Sequence, residues 1–198
     1  MCIPSKLKNS FYILLFFSTI SGCQKIPSSR QLLPPLPQDP LIQVYFNHAQ
    51  SSEYQESYRL QTRLGDDLEK QIIHSILQAQ STIDVAVQEL RLPKIAQALI
   101  EKQRAGVEIR LILENQYSLP WQDLNSRMVQ NLPWREKNKQ QTLRSLIDIN
   151  KDGKITSEEI KQRDAIAMIQ NSQIPWIDDT ADGSKGSGLM HHKFMVID

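Results

Sequence analysis

Residues 82–115 read TIDVAVQELRLPKIAQALIEKQRAGVEIRLILEN, and this stretch decides the architecture. Thr82 to Val87 is a short run rich in β-branched residues, which predicts a strand. Leu92-Pro93 opens a helix, because a proline in the first turn lacks an N–H that would be unpaired there anyway. Ile95, Ala96, Leu99 and Ile100 recur at helical spacing and form its inner stripe. Gly106 stands where a helix ends in a left-handed residue. Val107 to Leu113, VEIRLIL, predicts the next strand.

Working outward, Asp66 to Ala79 carries Leu68, Ile72, Ile76 and Ala79 at helical spacing, with Ile73 and Leu77 beside them. Asp66 or Asp67 is placed to cap it. Residues 47–63 are polar and turn-like. Leu41 to Phe46, LIQVYF, follows Pro40 and predicts a first strand. The order is then strand, helix, strand, helix, strand. Helical connections of this length imply parallel neighbouring strands, so the fold class is α/β, over residues 41–198. Such an architecture hosts many chemistries and names none of them.

The chain has 198 residues, 40% hydrophobic and 23% charged, a composition that excludes a disordered polymer. Its net charge of +1 lacks the basic excess of sequence-tolerant nucleic-acid binders. Cys2 and Cys23 are the only cysteines, so the expected folded part can hold no disulfide and no cysteine metal site.

Lys6 and Lys8, the apolar run Phe11 to Ile20 and the small residues after it describe an export signal over residues 1–22. The run is too short for a permanent span. Ile20-Ser21-Gly22-Cys23 resembles the bacterial lipoprotein processing box. That resemblance implies a lipidated Cys23 and a chain anchored to the membrane of a bacterial cell envelope; plain secretion with an incidental cysteine is the alternative. Residues 23–40 hold five prolines and read as an extended tether.

After Glu114 the rhythm stops, and no strand pattern returns before Ile174 to Ile177. Long insertions are commonly functional. Within this one, residues 148–159 read DINKDGKITSEE. A calcium loop of the EF-hand type takes oxygen ligands from positions 1, 3, 5, 7, 9 and 12, with glycine at 6. Asp148, Asn150 and Asp152 fill the first three, Lys154 gives its carbonyl, Thr156 fills position 9 and Glu159 position 12, with Gly153 at 6. Gln140 to Ile147 and Ser157 to Ile169 are expected as flanking helices, in an insertion spanning 135–170. The expectation is a structural Ca2+ site, weak enough to suit an exported protein. The bland alternative is an Asp/Gly turn before a helix. Asp178, Thr180, Asp182 and Gly183 imitate such a start, but position 12 would be Leu189, and the stretch reads as a loop.

Residues 190–198 read MHHKFMVID, with His191-x-Lys193 followed by Asp198. This pattern resembles the signature of the phospholipase D superfamily, and IDVAVQEL with LPKIAQALIEKQRAGVEIRLILEN resembles the first half of its domain. The resemblance covers about residues 41–115 and 174–198. It implies a sheet half with phosphodiesterase activity. One histidine would be the nucleophile, a second would protonate the leaving group, and no catalytic metal would take part. Residues two apart on a strand share a face, so His191 and Lys193 point together. A neutral imidazole can attack phosphorus, and an ammonium can hold the phosphoryl oxygens. Asp198 is expected to orient rather than touch phosphate. Phe194 to Ile197 is expected as a buried strand.

The chain carries one such motif and ends before the G-S-x-x-N segment that usually follows it. A second copy is expected from further sequence or from a homodimer partner, and the chain alone is expected to be inactive. The substrate is a phospholipid or another phosphodiester, with nucleic acid possible; the expected anchor favours lipid. A non-catalytic, calcium-stabilised envelope lipoprotein, or a remnant of an enzyme, is the reading from a different class. Isolated His48 and His74 are expected as surface or partly buried histidines outside the catalytic site.

Overall fold

The computed structural model describes residues 31–124, 126–183 and 188–198. The expected signal peptide, Cys23 and most of the proline-rich tether lie outside them. Among the described residues no helix is long and apolar enough to cross a membrane.

Residues 33–198 are organised around a four-stranded sheet. A small antiparallel hairpin comes first, β1 (Glu53–Gln55) and β2 (Thr62–Leu64). Then follow α1 (Leu68–Gln78), β3 (Thr82–Val87), α2 (Pro93–Arg104) and β4 (Glu108–Leu113). The insertion supplies α3 (Ser126–Asn131), α4 (Trp134–Ile147), α5 (Ser157–Arg163) and α6 (Ala165–Gln170). β5 (Trp176–Asp178) and β6 (Lys193–Ile197) close the chain's order. The sheet order is β5-β4-β3-β6: β3, β4 and β5 run parallel, and β6 lies antiparallel beside β3.

The helix ends form as their residues dictate. The Asp67 carboxylate accepts the Lys70 N–H at 3.0 Å and starts α1. Pro93 stands in the first turn of α2. At its end Gly106 takes φ +95°, while the Gly106 N–H reaches the Gln103 carbonyl at 3.0 Å and the Val107 N–H reaches that of Lys102 at 3.1 Å. That is a Schellman closure, which satisfies carbonyls the helix leaves open.

In the strands, Ile83 and Val85 pair with Ile109 and Leu111, and all four are buried. With Leu113 they pack on Ile76 of α1 and on Ile95, Ala96, Leu99 and Ile100 of α2. Ala165, Ile166 and Ile169 of α6 belong to this same core, so the end of the insertion packs with the strands that precede it.

Three expectations need correction. Leu41–Phe46 forms no strand; Leu41 is 92% exposed, and Val44 bonds through both backbone groups to the Gln38 side chain. Its residues lack the alternation of a half-buried strand, and β6 takes the edge beside β3 where it would pair. The run Phe194–Ile197 is not buried: Phe194 is 51% and Val196 56% exposed, because β6 is an edge strand and no helix among the described residues covers that face. The helix expected over Ser157–Ile169 is broken at Asp164, whose carboxylate caps α6 by accepting the Ile166 and Ala167 N–H groups at 3.0 and 3.2 Å.

Candidate active site

The carboxyl ends of β3 and β4 meet the start of β6, the edge of an α/β sheet where ligands commonly bind. Register places Lys193 opposite Val87. The Gln88 N–H donates to the His192 carbonyl at 2.9 Å, extending the ladder by one bond. Met195 and Ile197 alternate with Phe194 and Val196, so Lys193 and its same-face neighbours turn toward the helices. The Lys193 ammonium donates to the Gln88 side-chain carbonyl at 2.9 Å and to the His191 backbone carbonyl at 3.1 Å. Gln88 is buried, so its amide is a fixed acceptor. His191 is exposed and stands two residues before the strand. The His192 ring meets Phe194 edge-on, centroids 5.7 Å apart.

Asp198 lies at the other end of β6, roughly 16 Å from Lys193 at the usual strand rise. One of its carboxylate oxygens accepts the Gln80 N–H at 2.8 Å. The other accepts those of Ser81 and Thr82 at 2.6 and 3.0 Å. The Thr82 amide is the largest of several that hold its carboxyl below the usual 3.8. The structure thus sets the Lys193 ammonium on the His191 backbone carbonyl and places Asp198 apart, tying β6 to the turn before β3.

Residues that spacing did not single out surround this edge. Glu89, next to Gln88, binds Lys139 of α4 at 2.9 Å and Arg91 at 3.3 Å. The Glu89 carboxylate is the largest cause holding the Lys139 ammonium strongly in its charged form. Lys139 also lies 5.0 Å from the Tyr117 ring centroid. Glu114, at the end of β4, is fully buried. One of its oxygens accepts the Gln116 N–H at 2.8 Å and the other has no partner. Burial pushes its carboxyl up. Gln88, Glu89 and Glu114 all follow strand ends, which is the signal that could have marked them; Lys139 comes from the insertion and had none. Beside Lys193 a groove of about 680 Å³ is lined largely by apolar side chains, among them Ile72, Val87, Leu90, Leu92 and Met195.

The predicted calcium ligands Asp148, Asn150, Asp152, Lys154, Thr156 and Glu159 share one loop between α4 and α5. Among the described residues no group of three or more His, Cys, Asp or Glu side chains stands close enough to hold a metal ion. His48 and His74 are exposed.

Residues 72–198, more than half of the chain, match the family described as cardiolipin synthase, PLD-like domain. No curated protein matches. Among solved structures, the crystal structure of a phospholipase D family member, Nuc from Salmonella typhimurium, is similar at 17% identity and a TM-score of 0.35. The match covers 66% of this chain and spans 57% of the length of that one. On the match to residues 72–198, the chain belongs to the phospholipase D-like domain family.

Proposed function

We propose that the protein hydrolyses phosphodiesters, phospholipids first, through a covalent phospho-histidine at His191. The observation that carries this is the Lys193 ammonium, held on the buried Gln88 amide two residues from His191 at the carboxyl end of β3. The family membership supports it.

The imidazole lone pair of His191 attacks phosphorus while the bond to the leaving oxygen breaks. That oxygen takes a proton from a second histidine, supplied by another copy of the motif in further sequence or in a partner chain. Water then attacks the phospho-histidine, giving its proton back to that second group; the P–N bond breaks and a phosphomonoester leaves. Lys193 holds the phosphoryl oxygens as negative charge builds on them. Splitting one displacement in two lowers each barrier.

The apolar groove beside Lys193 offers room for acyl chain, and a lipid anchor at Cys23 would hold the enzyme in the bacterial envelope beside its substrate. Both favour lipid over nucleic acid. The full-length protein should release head group from phospholipid vesicles faster than it nicks plasmid. His191→Ala should cut turnover at least about 10⁴-fold, as loss of a covalent nucleophile does, and Lys193→Ala about 10²–10³-fold. Full turnover in His191→Ala, or none in the wild type on either substrate, removes the proposal.

A further inference from the structure

We infer that residues 148–159 bind one Ca2+ ion, and that the ion clamps α4 to α5. The loop is buried and charged at its two ends. Asp148 and Glu159 are both more than nine-tenths buried, although each is a carboxylate. Charged groups are rarely buried so deeply without a partner of opposite sign.

Glu159 has amide partners. One oxygen accepts the Ile149 N–H at 2.9 Å; the other accepts the Thr156 N–H at 2.9 Å and the Thr156 hydroxyl at 2.8 Å. It therefore bridges the start of the loop to its far end.

Asp148 differs. One oxygen accepts the Gly153 N–H at 3.0 Å, which turns the carboxylate into the loop. Its other oxygen is buried and has no hydrogen-bond partner. A buried carboxylate oxygen with no donor is costly, and a cation in the loop would remove that cost. Asn150, Asp152 and Thr156 supply further side-chain oxygens within the same twelve residues, and Lys154 a carbonyl. This mixture of carboxylate, amide, hydroxyl and carbonyl oxygen suits Ca2+, which accepts six to eight such ligands in flexible geometry. Mg2+ demands a tighter octahedron and sheds water reluctantly.

Among the described residues no three carboxylates stand close enough to share an ion. Binding must therefore draw Asp148, at the end of α4, and Glu159, in the first turn of α5, toward one centre. The consequence lies outside the loop. α5 leads through Asp164 into α6, which belongs to the main core, and α4 carries Lys139 onto Glu89. Occupancy should thus raise the stability of the whole unit.

The test is calcium titration of the chelator-stripped full-length protein, followed by heat, with thermal unfolding read by circular dichroism. One ion per chain is expected, with a dissociation constant no weaker than about 10⁻⁴–10⁻³ M, the range of extracellular sites. The melting temperature should rise in millimolar calcium and fall back with chelator, and magnesium should shift it less. Glu159→Gln removes a ligand charge but keeps a side chain that can accept the Thr156 N–H, and Asp152→Ala changes an exposed position. Both should fold and lose binding heat and thermal shift together. Folded wild type without heat or thermal shift at about 10 mM calcium, ten times the weak end of that range, overturns the inference. So does either folded variant binding as the wild type does.

Discussion

Lys193 is fixed by a side chain rather than by the backbone alone, and that sets its rotamer before substrate arrives. In the proposed mechanism Gln88 is the positioning residue, its side-chain carbonyl accepting from the ammonium at 2.9 Å. Gln88→Ala should lower kcat about 10- to 100-fold, the scale on which a misplaced catalytic group costs rate, with KM and melting temperature nearly unchanged; an equal loss from unfolding would show as a lower melting point instead. Asp198 acts elsewhere, and its pH dependence follows from its three amide donors. Its folded-state pKa lies below the usual 3.8. The stabilisation is therefore complete above that value and is lost as pH falls through the folded one. Asp198→Ala should unfold at lower urea than the wild type at neutral pH, and the gap should close on acidification. A gap that persists unchanged into acid would contradict the role given to those three bonds. His191, Lys193 and Asp198 stand out in the sequence because a fixed spacing carries them. Gln88 does not, because its partner lies 105 positions away and only the β3–β6 register joins them.

At the scale of elements, what could be read was local. α1 and α2 announce themselves through Asp67, Pro93 and Gly106, whose effects reach only a turn or so along the chain. β3 and β4 follow because each is a short apolar run, β3 between those helices and β4 directly after α2. LIQVYF carries the same composition yet stays outside the sheet, because strand formation needs a free edge and an alternating face, neither of which composition reports. β6 reversed the expectation in the other direction: its existence as a strand was legible, but the exposure of Phe194 and Val196 depends on what covers the sheet. The end of α2 permits a clean test. Gly106 sits at φ +95°, and a Cβ there would meet no atom within 4 Å, so substitution strains only the backbone. Gly106→Ala should cost about 1–2 kcal/mol, seen as a lower urea midpoint with unchanged slope. An unchanged midpoint would mean that the closure contributes nothing.

At the scale of the molecule, the segment that reads as an insertion is not an appendage. Ile169 of α6 is 1% exposed and lies in one cluster with Ile83, Leu99 and Leu111. Ile169→Ala should destabilise by about 2–5 kcal/mol in a single cooperative transition, checked by urea unfolding followed by two probes. Two separate transitions would show that α6 folds apart from the sheet. The same coupling places Lys139 on Glu89, one residue from the amide that holds Lys193, so the order of the insertion and the order of the candidate site rise together. No spacing in the sequence could have announced that contact. The central claim concerns a bond from nitrogen to phosphorus at position 191, and rapid acid-free quenching of the full-length protein with a phosphorus-labelled phosphodiester tests it most directly. The account predicts label bound to the protein, stable in alkali, released by acid, mapped by mass spectrometry to His191 and absent from His191→Ala. Turnover without any labelled histidine, or label on another residue with His191→Ala still active, would contradict it.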